Sequence, residues 1–138
     1  MDWITDRVAI GNYLEARDAA LLKRHGFRSA LSLDGTLAER DATELGLSEV
    51  ASYPLVDGPG NDLRILRFAV GDLRRLAASH SPVLVQCHAG RSRSVVVVAA
   101  LLMEAQGIGP REAIGLVAAK REISVTPALF DLLCNLEA

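Results

Sequence analysis

One segment in the middle of the chain combines residue types and spacings that suit phosphate chemistry. Cys87 is followed by Gly90 and then by Arg93, six positions after the cysteine. In a loop that precedes a helix, backbone N–H groups and the helix dipole bind anions, and an arginine guanidinium can pair with two phosphate oxygens. The same positive field favours a cysteine thiolate, which is a nucleophile. The segment therefore predicts attack of the Cys87 sulfur on a phosphoryl group.

The spacing of these residues is specific. The pattern has a glycine three positions after the cysteine, an arginine six positions after it, and a serine or threonine directly after the arginine. Such a pattern arises by chance in roughly one chain in 700 of this composition. For Cys87 alone, the alternative is a small buried apolar residue, which is the usual environment of a free cysteine. Gly90 is explained separately, because a glycine lets the backbone take a conformation that a Cβ would hinder.

The elements on either side of the loop determine where it lies. The continuous apolar segment Pro82–Val85 is typical of a central parallel strand that is buried on both faces. The apolar run that starts at Val95 predicts a buried helix to about Gln106, ended by Gly107. In α/β proteins, ligands bind at the carboxyl ends of strands beside helix N-termini. This order of strand, loop and helix is typical of an anion site.

Strands and helices alternate through the first two thirds of the chain. This alternation predicts a single α/β layered domain over residues 1–138, with a mainly parallel central sheet flanked by helices. We predict that Val8–Ile10 is an edge strand or half of a hairpin. The other predicted elements are strands at Ser29–Leu33 and Val50–Val56, helices over 15–25, 37–45, 63–77 and 110–121, and a last helix from Pro127.

The composition excludes several classes of function. A net charge of -2 gives no global signal for binding nucleic acid or an anionic membrane. The longest apolar run, Val95–Met103, is too short to span a bilayer. The three histidines have no ligand spacing, so we expect neither a metal nor another cofactor. Two cysteines do not make a disulfide framework, and a reduced, cytoplasmic setting is expected.

The segment Cys87–Ser94 resembles the signature loop of the cysteine-dependent protein tyrosine phosphatases, and most closely that of the dual-specificity phosphatases. The resemblance covers nearly the whole chain. The opening of that family is similar to the part of this chain that runs from Ile10-Gly11 through a helix to Ala30–Leu33. The end of the family's domain is similar to Arg121–Ile123 of this chain, followed by Phe130 and Leu133-Cys134.

The resemblance implies a role for each residue of the loop. Cys87 is expected to form a cysteinyl-phosphate intermediate, and the hydroxyl of Ser94 to stabilise its thiolate as a leaving group. The phosphate is expected to be held by the Arg93 guanidinium and by the backbone N–H groups of the loop. These groups belong to His88, Ala89, Gly90, Arg91, Ser92 and Arg93.

The family's general acid is an aspartate about thirty residues before the cysteine. Asp57 has that position, in a loop rich in glycine and proline, and is expected to protonate the leaving oxygen and then to activate water. Asp62 on the same loop is the alternative, although it directly precedes a helix and suits an N-cap. Asp34 could also reach the site, but turn formation with Gly35 explains it better.

The chain departs from the family's pattern at two places. Gln86 stands where the family usually has a histidine before the nucleophile, and glutamine cannot carry a charge. We expect a competent enzyme whose thiol is less readily ionised than is usual for the family. The common Pro-Asn pair before the last helix is replaced by Val125-Thr126, and Thr126 can still cap the helix. Cys134, among leucines of that helix, is expected to be a core thiol, with a redox partnership with Cys87 as the alternative.

The resemblance implies hydrolysis of phosphotyrosine and of phosphoserine or phosphothreonine in proteins, because a short chain without insertions leaves a shallow site. Phosphorylated proteins are thus the expected partners. The basic His88 and Arg91 are either merely exposed or favour a substrate with extra negative charge. A phosphoinositide or other phospholipid headgroup is therefore the alternative substrate, although no polybasic segment suggests a stable association with membranes. A catalytically impaired phosphate-binding module and a sulfur-transfer or arsenate-reducing enzyme are further alternatives.

Overall fold

The computed structural model describes residues 1–136 and contains one five-stranded sheet. The strands are β1 (Asp2–Trp3), β2 (Val8–Gly11), β3 (Ser29–Ser32), β4 (Glu49–Ser52) and β5 (Val83–Gln86). Their order in the sheet is β1-β2-β5-β3-β4, and only the β1–β2 pair is antiparallel. The predicted α/β fold with a mainly parallel sheet is confirmed. The last two residues of the predicted domain, 137 and 138, lie outside the described residues.

Helices cover both faces of the sheet. They are α1 (Tyr13–Ala16), α2 (Ala19–Arg24), α3 (Leu63–Ser79), α4 (Arg93–Gln106), α5 (Pro110–Ala118) and α6 (Pro127–Asn135), and a single 3-10 turn lies at Thr43–Leu45. Within residues 1–136, no helix is both long enough and apolar enough to cross a membrane.

Strand β5 lies at the centre of the sheet and is buried on both faces, as its apolar sequence predicts. Val83 and Val85 belong to the larger apolar core, which includes residues of α3, α4, α5 and α6. Leu84 points the other way, into a smaller core with Leu22 of α2 and Phe27. Because side chains alternate along a strand, a fully buried strand needs apolar residues at every position. Burial on both sides fixes the position of the loop that follows β5.

Several predicted elements have different bounds in the structure. The helix predicted over 15–25 is two short helices, because the side chains of Asn12 and Asp18 each cap a separate one. The helix predicted over 37–45 is wrong. That polar segment has no continuous apolar face, and it forms only the 3-10 turn, with Leu37 and Leu45 as its buried anchors.

The strand bounds also differ from the prediction. Val8–Ile10 is no edge strand, because β2 pairs with both β1 and β5. It is instead half of an N-terminal hairpin. The strand predicted over Val50–Val56 is β4, which ends at Ser52, although the N–H groups of Tyr53 and Leu55 still donate to the carbonyls of Ser32 and Leu33. Helix α5 ends at Ala118 rather than near residue 121, which frees Arg121 for another role.

Candidate active site

The loop between β5 and α4 opens onto a cleft at the carboxyl edge of the sheet. The cleft has a volume of about 340 Å³. It is lined by Asp57, Cys87, His88, Ala89, Arg91, Ser92, Arg93 and Ser124. Most residues predicted from the sequence thus lie around one cavity. Gly90 and Ser94 are the two loop residues outside the lining, and both are buried behind it.

Cys87 lies at the base of the cleft, directly after the buried strand β5. Its side chain is only 2% exposed, and its Sγ lies 3.2 Å from the hydroxyl oxygen of Ser94. Ser94 itself is fully buried in the first turn of α4. A buried hydroxyl donor at this distance stabilises a thiolate, because hydrogen bonds to an ionised sulfur are stronger than those to a neutral one.

Arg93 is the first residue of α4, so its position depends on where that helix begins. Its Nη1 donates a hydrogen bond to the backbone carbonyl of Leu55 at 3.1 Å. Its Nε is buried and has no hydrogen-bond partner among residues 1–136. Buried donors are nearly always paired in folded proteins. The unpaired N–H of a guanidinium that lines the cleft is therefore suited to an oxyanion.

The loop is supported from behind by Arg121, a residue to which the sequence assigned no role. Its Nε donates to the carbonyl of Gly90 at 2.6 Å, and its Nη2 donates to the carbonyl of Ala89 at 3.2 Å. These two carbonyls therefore point away from the cleft, which leaves the N–H groups of the loop free to face the cleft. No spacing rule indicates this contact, since Arg121 is far from the loop in sequence.

Gly90 is required by the same arrangement. Its φ is +70°, a conformation that side chains rarely adopt. A Cβ at this position would lie 2.6 Å from Nη2 of Arg121 and 2.6 Å from the carbonyl oxygen of Gly11. The loop thus packs too closely against Arg121 and the end of β2 for any other residue.

Arg121 also ties the loop to the N-terminal hairpin. Its Nη1 donates to the carboxylate of Asp2 at 2.8 Å and to the carbonyl of Ile10 at 3.3 Å. Its side chain is only 10% exposed. Strand β1 therefore brings a counter-charge to the arginine that holds the loop.

Asp57 and Asp62 have different surroundings, although they lie on the same loop. Asp57 is exposed at the edge of the cleft. Asp62 caps α3 by accepting a hydrogen bond from the backbone of Arg64 at 2.8 Å, as its sequence position predicts. The hydrogen bonds from the side chain and the backbone of Arg64 hold the pKa of Asp62 below its ordinary value. These contacts make Asp62 unsuitable as a proton donor.

Asp34 is engaged in a turn, as predicted. Its Oδ1 accepts a hydrogen bond from the backbone of Thr36 at 2.9 Å. Burial raises the pKa of Asp34, but the hydrogen bond from Thr36 and the charge of Arg93 contribute to a net lowering. Asp34 is therefore held as a carboxylate within this turn, and it is not part of the lining of the cleft.

Gln86, which replaces the family's histidine, is fully buried at the end of β5. Its Nε2 donates to the backbone carbonyl of Cys87 at 3.1 Å, while its Oε1 is buried without a partner among the described residues. A buried acceptor without a partner costs about 1–3 kcal/mol. Gln86 therefore positions the backbone of Cys87 but brings no charge to it.

The outer edge of the cleft is basic and aromatic. The imidazole of His88 stacks on Tyr13 with ring centroids 4.4 Å apart, and the guanidinium of Arg17 lies 5.3 Å from the same tyrosine ring. Arg91 is half exposed, and its Nη1 lies 3.8 Å from Glu122. The sequence predicted the basic residues of the loop, but the stacking of His88 on α1 depends on the fold.

The last helix requires two corrections. Thr126 occupies the N-cap position of α6, but its side chain makes no capping hydrogen bond. Its backbone N–H instead donates to the hydroxyl of Ser92 at 3.3 Å. Cys134 is only partly buried and lies on a groove beside α5, so it is not the core thiol that the leucine pattern predicted. Within residues 1–136, no group of three or more histidine, cysteine, aspartate or glutamate side chains could hold a metal ion.

A family profile and one curated relative match this chain. The profile described as "Dual specificity phosphatase, catalytic domain" matches residues 8–138. Dual specificity protein phosphatase Mpk3 of Drosophila melanogaster is 30% identical over 109 residues, which are 78% of this chain and 26% of Mpk3. The chain thus spans about a quarter of the length of this curated relative.

Solved structures share the fold. The crystal structure of PTPMT1 is 26% identical with a TM-score of 0.75, and the match covers 97% of this chain and 91% of PTPMT1. PTPMT1 in complex with PI(5)P is 24% identical with a TM-score of 0.73, covering 96% and 90%. The human tyrosine phosphatase-like serine/threonine/tyrosine-interacting protein is 24% identical with a TM-score of 0.83, covering 99% and 95%.

Proposed function

The chain belongs to the dual specificity phosphatase family, and from this premise we propose that it hydrolyses the phosphate monoesters of phosphotyrosine and of phosphoserine or phosphothreonine in proteins. One observation carries the proposal. The Cys87 sulfur lies 3.2 Å from the Ser94 hydroxyl, at the base of a cleft that is also lined by Arg93. This combination provides a nucleophile, a donor that stabilises it and a cation for the phosphate.

In the first step, the Cys87 thiolate attacks phosphorus. A sulfur–phosphorus bond forms while the bond from phosphorus to the leaving oxygen breaks. Asp57, which reaches the edge of the same cleft, gives its proton to that oxygen. The Nε–H of Arg93 and the N–H groups of the loop stabilise the charge on the equatorial oxygens.

In the second step, water attacks the cysteinyl phosphate. Asp57, now a carboxylate, takes a proton from the water as the new phosphorus–oxygen bond forms. The sulfur–phosphorus bond breaks and its electron pair returns to sulfur, where the hydroxyl of Ser94 stabilises the thiolate. Inorganic phosphate leaves, and the enzyme returns to its starting state.

A phosphoinositide headgroup is the second candidate substrate, because of the basic edge of the cleft. His88 and Arg91 line the cleft, and Arg17 lies close by on Tyr13. PTPMT1, which is 26% identical, has been solved in complex with PI(5)P. A substrate with more than one phosphate would gain from the guanidinium groups of Arg91 and Arg17.

Parallel assays distinguish these substrates. The protein is incubated with p-nitrophenyl phosphate, with phosphotyrosine and phosphothreonine peptides and with PI(5)P, in EDTA, and phosphate release is measured. We expect turnover of both peptides and no turnover by Cys87→Ser. A kcat/KM for PI(5)P well above that for the peptides would favour the lipid. Binding of vanadate without turnover of any substrate would contradict both candidates and favour a phosphate-binding module.

A further inference from the structure

The loop that carries Asp57 is held together by a single side chain, that of Asn61. Its Oδ1 accepts a hydrogen bond from the N–H of Val56 at 2.7 Å. Its Nδ2 donates to the carbonyl of Val56 at 2.7 Å and to the carbonyl of Gly58 at 3.1 Å. Asn61 thus binds the backbone of the residue before Asp57 and that of the residue after it.

The loop has little else to hold its shape. Among the described residues, no backbone–backbone hydrogen bond involves residues 56–61. Pro59 lacks an N–H, and Gly60 has a φ of +99°. A segment of this composition loses much conformational entropy when it is ordered, and it needs compensating contacts. The three hydrogen bonds of Asn61 therefore stabilise the loop in place of backbone–backbone hydrogen bonds.

The two ends of the loop are anchored separately. At its start, the carbonyl of Leu55 accepts a hydrogen bond from Arg93, and the N–H of Leu55 donates to Leu33. At its end, Asp62 caps α3. Among the described residues, neither anchor makes a hydrogen bond to residues 56–60. The direction in which Asp57 points therefore depends on Asn61.

We propose that Asn61 is a positioning residue that holds the Asp57 carboxyl at the edge of the cleft and so controls protonation of the leaving group. This inference rests on the proposed function. Asn61 has no contact with the phosphate-binding loop among its hydrogen bonds. Its loss therefore affects proton transfer and leaves phosphate binding intact.

The dependence of the rate on the leaving group tests this assignment. Asn61→Ala is assayed on aryl phosphates that range from a good leaving group, 6,8-difluoro-4-methylumbelliferyl phosphate, to a poor one, phenyl phosphate. We expect kcat/KM for phenyl phosphate to fall about 10-fold or more, since general acid catalysis is worth roughly 10²–10⁴-fold and misplacement removes part of it. We compare kcat/KM because it reports the step in which the leaving group departs, whereas kcat also contains the hydrolysis of the cysteinyl phosphate, which is common to all substrates. The kcat/KM with the good leaving group changes little, and inhibition by vanadate is unchanged.

A double-mutant cycle separates Asn61 from the rest of the site. In the Asp57→Asn background, Asn61→Ala is expected to cause no further loss on phenyl phosphate, because the group it positions is gone. Asp62→Asn is the matched control. It changes the same loop but keeps an N-cap residue, and it is expected to leave the leaving-group dependence unchanged.

Three results would overturn the proposal. They are an equal loss on all leaving groups, a further loss in the Asp57→Asn background, or weaker inhibition by vanadate in Asn61→Ala. If Asp57→Asn itself leaves the leaving-group dependence unchanged, then the assignment of Asp57 in the proposed function fails, and the role of Asn61 fails with it. Asn61→Ser, which keeps one short hydrogen-bonding group, replaces Asn61→Ala if the alanine variant does not fold, and the same results decide.

Discussion

Removal of Arg121, which lies behind the loop over residues 87–93, tests whether its hydrogen bonds shape the site. Arg121→Ala leaves three backbone carbonyls, those of Ala89, Gly90 and Ile10, without their charged donor. Hydrogen bonds from charged groups are worth about 1.5–3 kcal/mol each. Water that enters the space recovers roughly half of the total for the three bonds, so we expect a loss of about 2–4.5 kcal/mol in the free energy of unfolding.

The assay combines stability with anion binding. A loss of this size lowers the melting temperature of a domain of this length by roughly 6–18 °C. Because the loop N–H groups lose their orientation, inhibition by vanadate also weakens, by about 10-fold, which corresponds to the loss of one hydrogen bond of about 1.4 kcal/mol. Arg121→Lys keeps the charge but not the planar fork, and it should fall between wild type and Arg121→Ala in both measurements.

Arg74→Ala is the matched control. Arg74 also makes bonds of 2.7–3.0 Å to a carboxylate, that of Glu104, but its side chain is 57% exposed. Exposed ion pairs contribute about 0–1 kcal/mol. The reasoning is refuted if Arg121→Ala is no more destabilising than Arg74→Ala. It is also refuted if Arg121→Ala is destabilising but inhibition by vanadate is unchanged.

Three further predictions concern the nucleophile and its surroundings. Ser94→Ala slows breakdown of the cysteinyl phosphate by about 10–100-fold, because one hydrogen bond to the charged sulfur is lost. With p-nitrophenyl phosphate as substrate, a pre-steady-state burst of p-nitrophenol should then appear. A steady state without a burst would contradict this. Gln86→His brings a group that can carry positive charge next to the nucleophile, so iodoacetate inactivates Cys87 faster at neutral pH than in wild type; equal rates would contradict a role for the missing charge. The pKa of Asp34 is lowered from 3.8, so its carboxylate stabilises the fold above that pH and the stabilisation is lost as the pH falls through the folded-state value. Urea unfolding at pH 7 and pH 3 should show the advantage of wild type over Asp34→Asn shrinking at the lower pH, and a constant difference would refute it.

Much of the fold could be predicted because its strongest elements are buried on both sides. The segment Val83–Val85 and the helix after Arg93 need apolar residues at nearly every position, and such runs are visible in a sequence. The polar segment over 37–45 was mispredicted for the opposite reason. Only Leu37 and Leu45 are anchored in the core, and helix propensity without an apolar face does not decide a conformation.

The loop over residues 87–93 is determined by the sequence itself, because the residues that we propose for its chemistry are neighbours in the chain. Cys87, Gly90 and Arg93 lie within seven residues, and the strand and helix that hold them are their immediate neighbours. The role of Ser94 came from the resemblance to the phosphatase signature loop and not from its spacing. The structure places its hydroxyl oxygen 3.2 Å from Sγ of Cys87, because the loop returns to the first turn of α4.

The supports of that loop were decided only by the tertiary structure. Arg121 reaches Gly90 and Asp2 across gaps of 31 and 119 residues, and His88 stacks on Tyr13 of a different helix. Contacts across such separations depend on how strands are ordered in the sheet. No spacing rule contains that information, because the free energy that selects the order is distributed over the whole core.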